Sequence, residues 1–272
     1  KFEKLRFDAT NKKAEYFVKI PSVSSTTDTY FYLLYGRTGA LDGSDKTEVY
    51  GDEFKAVYHM KDDPDTSHIA DSTINANNGT KKGAGEPVEA DGQIAKAQSF
   101  DGTNDYIQLP YSSIFDTGDF SISFWVKLSA KNRENFVFSI GDSFSADRLI
   151  HIGVRNTNYL AFAFYGDDFD NIYSMDTGIW YHVVATFVRS TKLQTVYVNG
   201  VSRGTRKSTG VPDINTGACT GNGIWLGHYP DDKNYLQGLI DEVRISNVAR
   251  SAAWIKADYN SLFDTLIKEE LF

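Results

Sequence analysis

Two stretches, FDGTNDYIQLP at residues 100–110 and GLIDEVRISNVAR at residues 238–250, carry the strongest structural signal in this chain of 272 residues. Each combines a turn with a run that alternates between apolar and polar residues, and each has acidic side chains beside that run. Asp, Asn and Gly favour turns, and period-two alternation indicates a β-strand. The two stretches therefore predict strands with carboxylate oxygens at their ends.

More strand-like runs lie between these two stretches. Aromatic residues make up 14% of the chain, and they fit the pleated, half-buried surface of a sheet. The sequence thus predicts an all-β fold in which helix is the minor element. The predicted strands cover residues 120–128, 136–140, 149–154, 160–165, 180–189, 193–198 and 223–227.

The chain resembles the laminin-G-like family of the concanavalin A-like lectin and glucanase superfamily across residues 56–260. The resemblance rests on the two opening stretches and on three more that occur between them in the family's order: FSISFWVKLS, WYHVVATFVRSTKLQTVYVNG and GIWLGHY. It implies a two-sheet antiparallel jelly-roll sandwich. Apolar residues at Trp254, Ile255 and Tyr259 predict a short C-terminal helix over residues 251–262, with Ser251 as its N-cap.

The N-terminal region predicts a small, incomplete β segment. Strand-like runs cover residues 4–7, 14–20 and 29–35, and the last is nearly continuous in apolar residues, which favours a fully buried strand. Residues 1–36 resemble the C-terminal half of a prokaryotic domain of unknown function. We expect these strands either to pair with another chain or to dock on the next domain, since unpaired strand edges are unfavourable. The predicted organisation is a partial β domain (1–36), a connector (37–53), a laminin-G-like domain (54–262) and a tail (263–272).

Composition excludes several classes of partner. The formal net charge of −8 opposes attraction to a phosphate backbone, so no nucleic-acid partner is expected. No run reaches the roughly 18 apolar residues of a membrane span, and the first residues do not read as a signal peptide. Cys219 is the only cysteine, so the chain cannot form an internal disulfide. The resemblance implies an extracellular location, on a cell or virion surface.

The resemblance also implies a structural calcium ion. Asp71, a carbonyl of the Asn77–Asn78 turn and Asp241 would supply its ligands, with Asp101 as a further candidate. Calcium prefers such oxygen ligands. The alternative for Asp71 is a tight loop that its side chain organises, and the alternative for Asp241 is a salt bridge or backbone donors.

The sequence argues against catalysis. Glucanases of this superfamily carry a Glu-x-Asp-x-x-Glu pattern on one strand, which aims an acid and a nucleophile into one cleft. That pattern is absent, and the acidic run at residues 86–91 contains a proline and lies in a Gly-rich loop. No HExxH motif or closely spaced histidine pair suits zinc. A non-enzymatic protein is expected.

Three loops combine aromatic and polar residues in the way that sugar-binding sites do. They cover residues 141–148, 165–171 and 228–235. Aromatic faces can stack on the apolar faces of sugar rings, while carboxylates and amides bind the hydroxyl groups. Ordinary Asp- and Asn-rich turns are the alternative. The candidate ligand-binding residues are Asp142, Asp147, Arg148, Tyr165, Asp167, Asp168, Tyr229, Asp231 and Tyr235.

These observations favour a non-catalytic recognition or adhesion module of a surface or phage protein. It would bind a glycan or cell-surface polysaccharide through its rim loops, with a structural calcium ion. The main alternative is a structural spacer or assembly domain that contacts neighbouring domains or subunits and has no ligand of its own. A glycoside hydrolase is disfavoured because the paired carboxylates are missing. Trp125, Trp180 and Trp225 are predicted to be core residues, and Trp254 is predicted to anchor the terminal helix.

Overall fold

A computed structural model of the chain describes residues 1–24, 26–32, 37–110, 112–141, 144–214, 223–231 and 233–262. Cys219, Asp142 and the predicted tail lie outside the described residues. The α-helices are α1 (Ile114–Thr117) and α2 (Ala252–Leu262), and Lys46–Glu48 form a single turn of 3-10 helix. The strands are β1 (Phe2–Asp8), β2 (Lys13–Val18), β3 (Phe54–Tyr58), β4 (His68–Ile69), β5 (Gly79–Lys82), β6 (Val88–Asp91), β7 (Lys96–Asp101), β8 (Tyr106–Leu109), β9 (Phe120–Leu128), β10 (Asn135–Ile140), β11 (Ile150–Val154), β12 (Leu160–Phe164), β13 (Asp167–Phe169), β14 (Trp180–Val188), β15 (Leu193–Val198), β16 (Val201–Lys207), β17 (Ile224–Leu226) and β18 (Gln237–Ser246).

The strands form two large antiparallel sheets and one hairpin. The front sheet has the order β13-β12-β11-β10-β17-β8-β5-β4, and the back sheet has the order β16-β15-β14-β9-β18-β7-β6. Strand β3 pairs with the second half of β18, beyond the part that pairs with β7. The prediction of an all-β, two-sheet sandwich is confirmed.

Alternate side chains of the two sheets face each other and form one core. On β12, Phe162 and Phe164 point inward, and on β14 Phe187 does the same. Phe164 and Phe187 meet edge to face across the two sheets, with ring centroids 5.0 Å apart. Period-two alternation of large apolar residues thus places one face of each strand in the core, as the sequence predicts.

Helix α2 covers part of the outer face of the back sheet. Trp125 of β9 and His182 of β14 are paired neighbours on this face, and the ring of Tyr259 from α2 lies 5.9 Å from each of them. Arg244 of β18 donates to Asp258 of α2 at 2.7 Å. The helix lies within the predicted range, and Ser251 accepts a hydrogen bond from the amide of Trp254, as an N-cap does.

The tryptophan prediction holds only in part. Trp125 and Trp225 are buried, but both point to outer faces of their sheets, outside the central core. Trp180 is half-buried and lies beside Lys127, whose ammonium is 5.0 Å from the ring centroid. A tryptophan at the end of a strand can keep one ring face in contact with solvent and a cation. Trp254 packs with Val184, Tyr197 and Ile255 and so anchors the helix.

The N-terminal hairpin β1–β2 docks on the same side of the sandwich as the helix. Glu3 accepts hydrogen bonds from His59 at 3.0 Å and from the hydroxyl of Ser72 at 2.7 Å. Phe17 stacks on His59 with ring centroids 5.1 Å apart, and the guanidinium of Arg244 lies 4.9 Å from the Phe17 ring. Burial of Glu3 and His59 therefore joins the hairpin to the sandwich.

The predicted buried strand at residues 29–35 is wrong over its described part. Tyr30, Phe31 and Tyr32 are exposed and belong to no strand, while residues 33–36 lie outside the described residues. A run of apolar residues becomes a buried strand only where a neighbouring strand and a packing face are available. Strands β1 and β2 pair with each other and not with this run.

Candidate functional site

The outer face of the front sheet is built from the outward-pointing residues of its strands. Strand register groups these residues into rows that cross the sheet. One row contains Phe136 of β10, Gly153 of β11 and Ala161 of β12. The neighbouring row contains Gln108, Trp225, Ser139, His151, Ala163 and Asp168.

Small residues leave a recess in the middle of this face. Ala161 and Ala163 alternate with the core residues of β12 and so point outward. Gly153 is required by close approach of β10, because a Cβ atom at this position would lie 2.6 Å from the carbonyl oxygen of Asn135. Gly153 thus makes room for β10, whereas Ala163, which lies between His151 and Asp168 in its row, leaves space for a longer side chain to cross the sheet. That side chain is Arg155.

Arg155 follows β11 and reaches back over the recess. Its Nε donates to Asp170 at 3.0 Å, and its Nη2 donates to Asp168 at 3.2 Å. On the other side, Nη1 lies 3.9 Å from a carboxylate oxygen of Glu134. Three carboxylates thus hold one guanidinium, and the Arg155 side chain keeps about 20% of its surface exposed. Arg155, Asp168 and Asp170 present charged hydrogen-bonding groups at the surface.

A neutral histidine completes the polar part of the face. Nη2 of Arg155 donates to Nε2 of His151 at 3.0 Å, so the imidazole proton belongs on Nδ1. Burial lowers the pKa of His151 to about 3, and the positive charge of Arg155 contributes in the same direction. Nδ1 has no hydrogen-bond partner among the residues that the structure describes. His151 therefore stays uncharged at neutral pH.

Aromatic rings border the polar group. Tyr229 stacks on Phe136 with centroids 4.4 Å apart and meets the edge of His151 at 5.2 Å. Phe144 bridges Tyr229 and Tyr165, with centroid distances of 5.8 and 5.7 Å. Phe144 is 47% exposed, and Tyr165 and Tyr229 are half-buried. We call Phe136, Phe144, Tyr165 and Tyr229 the aromatic cluster.

The loop at residues 228–235 positions Tyr229 of this cluster. Asp231 closes the loop, because its Oδ1 accepts from the amides of Lys233 and Asn234, both at 3.1 Å. Tyr235 stacks on His228 with centroids 4.6 Å apart. Asp231 and Tyr235, both predicted ligand-binding residues, therefore shape the loop that carries Tyr229.

Other predicted binding residues lie together at the adjoining rim. Asp167 pairs with Arg206 and accepts from the amide of Thr209 at 2.6 Å. Arg148 lies 3.6 Å from Asp213, and Asp147 accepts a hydrogen bond at its carbonyl from the amide of Asp213. These residues join the loops of the rim to one another. We call Arg155 with its neighbours Glu134, His151, Asp168 and Asp170 the Arg155 group. The aromatic cluster and the Arg155 group thus include the predicted residues Tyr165, Asp168 and Tyr229.

The predicted calcium ligand Asp71 is engaged by protein donors. Its Oδ1 accepts from the amides of Val57 and Thr73, and its Oδ2 accepts from the Thr73 hydroxyl and the Asn77 amide, at 2.9 to 3.0 Å. These four donors occupy the acceptor sites of one carboxylate. The carbonyl of Asn77 accepts from the hydroxyl of Tyr58, and the side-chain oxygen of Asn78 accepts from the amide of Asp71.

Asp101 and Asp241 accept hydrogen bonds from other backbone groups than those that donate to Asp71. Asp101 of β7 is paired with Gln237 of β18, at one end of the contact between these two strands. Asp241 lies four residues beyond Gln237, ~13 Å along β18. Asp241 accepts from the amide of Ile94 at 2.9 Å. Burial and the charge of Glu242 raise its pKa. Asp71 and Asp241 thus accept hydrogen bonds from different parts of the chain.

A metal site requires several ligand side chains that converge on one point. Among the described residues, no group of three His, Cys, Asp or Glu side chains suited to an ion occurs. Nor does the described part of the chain contain a helix long and apolar enough to cross a membrane.

A laminin-G-type model of the concanavalin A-like lectin/glucanases superfamily matches residues 101–256, which is more than half of the chain. The chain belongs to this superfamily. The matched region contains the aromatic cluster and the Arg155 group. No curated protein matches the chain.

Several solved structures are similar to this chain in fold. Domain 4 of AbnA, a GH43 extracellular arabinanase from Geobacillus stearothermophilus in complex with arabinotriose, is 26% identical with a TM-score of 0.58, over 75% of this chain and 97% of that one. The binding domain of Paraclostridial Mosquitocidal Protein 1 is 19% identical with a TM-score of 0.59, over 78% of this chain. A structure from work on cell entry of botulinum neurotoxin type C through two ganglioside molecules is 17% identical with a TM-score of 0.56, over the same share. This chain spans 53% and 51% of the two toxin chains, and their likeness shows the fold alone.

Sequence reasoning missed Arg155, Glu134, Phe136 and His151 as parts of the site. It included Phe144 and Asp170 in candidate loops without choosing them. One available signal was the alternation in LAFAF at residues 160–164, where Phe alternates with Ala. Small residues on the outer side of a strand indicate that another group lies close above it.

Proposed function

We propose that this chain is a non-catalytic carbohydrate-binding module whose site is the outer face of the front sheet. One observation carries the proposal: Phe144, Tyr165 and Tyr229 of the aromatic cluster are partly exposed, and the guanidinium that holds Asp168 and Asp170 lies 5.6 Å from the ring centroid of Phe136 in the same cluster. Apolar walls with a few fixed polar groups are typical of small-ligand sites. A sugar ring has one apolar face and a rim of hydroxyl groups, so it matches both halves of this surface.

The chemistry of binding follows from these positions. Phe144 and Tyr229 offer ring faces for stacking. Asp168 and Asp170, with side chains 38% and 37% exposed, can accept hydrogen bonds from hydroxyl groups. Charge-assisted hydrogen bonds of this kind are stronger than neutral ones. Arg155 holds both carboxylates in place before a ligand arrives, which reduces the entropic cost of binding.

The likeness to domain 4 of the arabinanase supports the proposal and suggests a first probe. That domain is 26% identical, nearly all of it aligns with this chain, and its structure contains arabinotriose. We therefore propose arabino-oligosaccharides as the first ligands to test. A surface or extracellular role in adhesion, beside neighbouring domains or subunits, is the setting that we propose for such a module.

The proposal excludes hydrolysis as the function of this face. Hydrolysis by paired carboxylates needs one group as acid and another as nucleophile or base, with separated pKa values. Asp168 and Asp170 both pair with the same guanidinium. Burial raises the pKa of Asp168, while Arg155 opposes this rise. Two carboxylates held by one cation suit hydrogen bonding to hydroxyl groups.

Isothermal titration with arabinotriose and with a panel of neutral polysaccharides tests the proposal. Tyr229→Ala should raise Kd about tenfold, because one stacking surface worth about 1.4 kcal/mol is lost. Tyr32→Ala is the matched control, since Tyr32 is 78% exposed and lies on the N-terminal segment, outside the proposed site. Equal effects of Tyr229→Ala and Tyr32→Ala on Kd would contradict the assignment of the binding site to the front sheet. Absence of binding to every glycan would favour the structural spacer instead.

A further inference from the structure

The charge around the proposed site is strongly unbalanced. Arg155 faces Glu134, Asp168 and Asp170, so three carboxylates surround one guanidinium within 4 Å. Two further cations of this rim are also paired, Arg206 with Asp167 and Arg148 with Asp213. The ion pairs beside the aromatic cluster therefore leave a net negative charge at the surface. Such a surface repels an anionic ligand and does not repel a neutral one.

Three of the five hydrogen-bond donors of Arg155 are also committed. Its Nε donates to Asp170, and its Nη2 donates to Asp168 and to His151. A ligand carboxylate or sulfate that sought a two-point contact through Nε and Nη2 would have to displace Asp170 and either Asp168 or His151. The displaced carboxylate would then lie unpaired beside a second negative charge, which is costly.

His151 cannot supply a second positive charge. It is 1% exposed, and its pKa of about 3 keeps the imidazole neutral at the pH of ordinary binding assays. Free oxygen lone pairs on Asp168 and Asp170 remain available, and these accept hydrogen bonds from hydroxyl groups but not from deprotonated acids. The exposed polar atoms of the site are thus chiefly acceptors.

We infer that the site selects neutral polyhydroxylated sugars and discriminates against glycans that carry carboxylate or sulfate groups. This inference rests on the proposed carbohydrate-binding function and specifies its ligand class. Neutral rings stack on the aromatic cluster while their hydroxyl groups donate to Asp168 and Asp170. Anionic sugars meet the same rings but face repulsion from the carboxylates. Selectivity therefore comes from the arrangement of charge, because the aromatic rings can stack on neutral and anionic sugars alike.

The test compares one polysaccharide backbone in three forms. Arabinan, partially acetylated arabinan and arabinan sulfated to the same degree are titrated against the protein at low ionic strength. Acetylation adds bulk without charge and so controls for size. We expect sulfation to weaken binding about tenfold more than acetylation does, and added salt to reduce the difference by screening. Equal or tighter binding of the sulfated form would overturn the inference.

A variant connects the selectivity to the named carboxylates. Asp168→Asn combined with Asp170→Asn removes two negative charges and keeps similar side-chain shapes. The variant should bind unmodified arabinan more weakly, and the penalty for sulfation should shrink. An unchanged sulfation penalty would contradict the assignment to these residues. Circular dichroism and the melting temperature of the variant confirm that it is folded.

The outcomes separate this inference from the proposed function. If arabinan does not bind, galactan, xylan and a β-glucan replace it as neutral probes, and polygalacturonate and sialyllactose serve as anionic ones. Binding of only the anionic probes, with loss in Tyr229→Ala, would overturn the inference and leave the carbohydrate-binding proposal standing. Absence of binding to all of these probes would overturn both.

Discussion

At the scale of single residues, Asp71 and Asp101 show how the surroundings decide the role of a turn carboxylate. Both accept hydrogen bonds from nearby backbone amides, as Asp commonly does in turns. Asp71 is 3% exposed and has four donors from three residues, including Val57 of β3. Asp101 is exposed, and its side chain accepts from the amides of Thr103 and Asn104.

Asp71→Ala should therefore lower the free energy of unfolding by about 3 kcal/mol, because it leaves buried amide donors of Val57, Thr73 and Asn77 without an acceptor. Asp101→Ala should cost about 1 kcal/mol or less, since water can replace the lost acceptor. Urea denaturation of the two variants measures the difference. Equal losses would show that burial of the Asp71 carboxylate is not what matters.

At the scale of elements, strand β18 connects the sandwich to helix α2 and to the N-terminal hairpin. The strand is irregular between Asp241 and Arg244, and Glu242 has a φ of 49° there, in the left-handed region. Glu242 then accepts hydrogen bonds from His59 at 2.6 Å and from Arg244 at 3.0 Å. His59 also donates to Glu3 of the hairpin. One imidazolium thus bridges two carboxylates from distant parts of the chain.

Stability should depend on the protonation of His59. Burial opposes its charge, but Glu242 and Glu3 outweigh burial and raise the pKa of His59 to about 9. Its unfolded pKa is about 6.5, so its contribution is fully present below pH 6.5 and is lost as pH rises toward 9. The pKa values of Glu3 and Glu242 are lowered, so their contributions are lost below about pH 4.5.

The free energy of unfolding should consequently fall by on the order of 2 kcal/mol between pH 6.5 and pH 9.5. Urea denaturation across this range measures the slope. His59→Gln should be less stable at pH 6.5 and should lose most of the slope. His68→Gln is the matched control, because the His68 side chain is 41% exposed. A slope that persists in His59→Gln would assign the pH dependence to another group.

At the scale of the whole molecule, the two outer faces of the sandwich differ in what covers them. Helix α2 and the hairpin cover part of the back sheet, and they do so through buried charges and aromatic rings. The front sheet instead carries a half-exposed aromatic cluster and a set of partly exposed carboxylates. A face with exposed aromatic rings next to fixed polar groups is suited to a ligand.

The purified protein should release no reducing ends from a polysaccharide that it binds. The reason is that Asp168 and Asp170 share one cation and do not divide into an acid and a nucleophile. A reducing-sugar assay over long incubation with arabinan, galactan and a β-glucan checks this. Reproducible release that disappears in Asp168→Asn would move the function from recognition to cleavage.

Calcium binding stays a prediction, and melting in the presence and absence of a chelator measures it. An ion that binds only the native state raises the melting temperature, so chelation would lower it. The Asp71 carboxylate already accepts four hydrogen bonds, so we expect no ion there and no change in melting temperature from this position. A fall on chelation that disappears in Asp241→Asn, but not in Asp101→Asn, would support an ion at Asp241.

The sequence by itself determined the all-β fold, the terminal helix and the loops that carry Tyr165, Asp168 and Tyr229. These features depend on local signals, because alternation, turn residues and an N-cap act over a few neighbouring positions. Tertiary structure decided that Arg155 holds Asp168 and Asp170 across a recess of small residues. It also decided that Asp71 and Asp241 accept hydrogen bonds from different parts of the chain and that Tyr30 is exposed. Contacts between distant residues depend on strand register and on which faces become covered, and no local pattern encodes either.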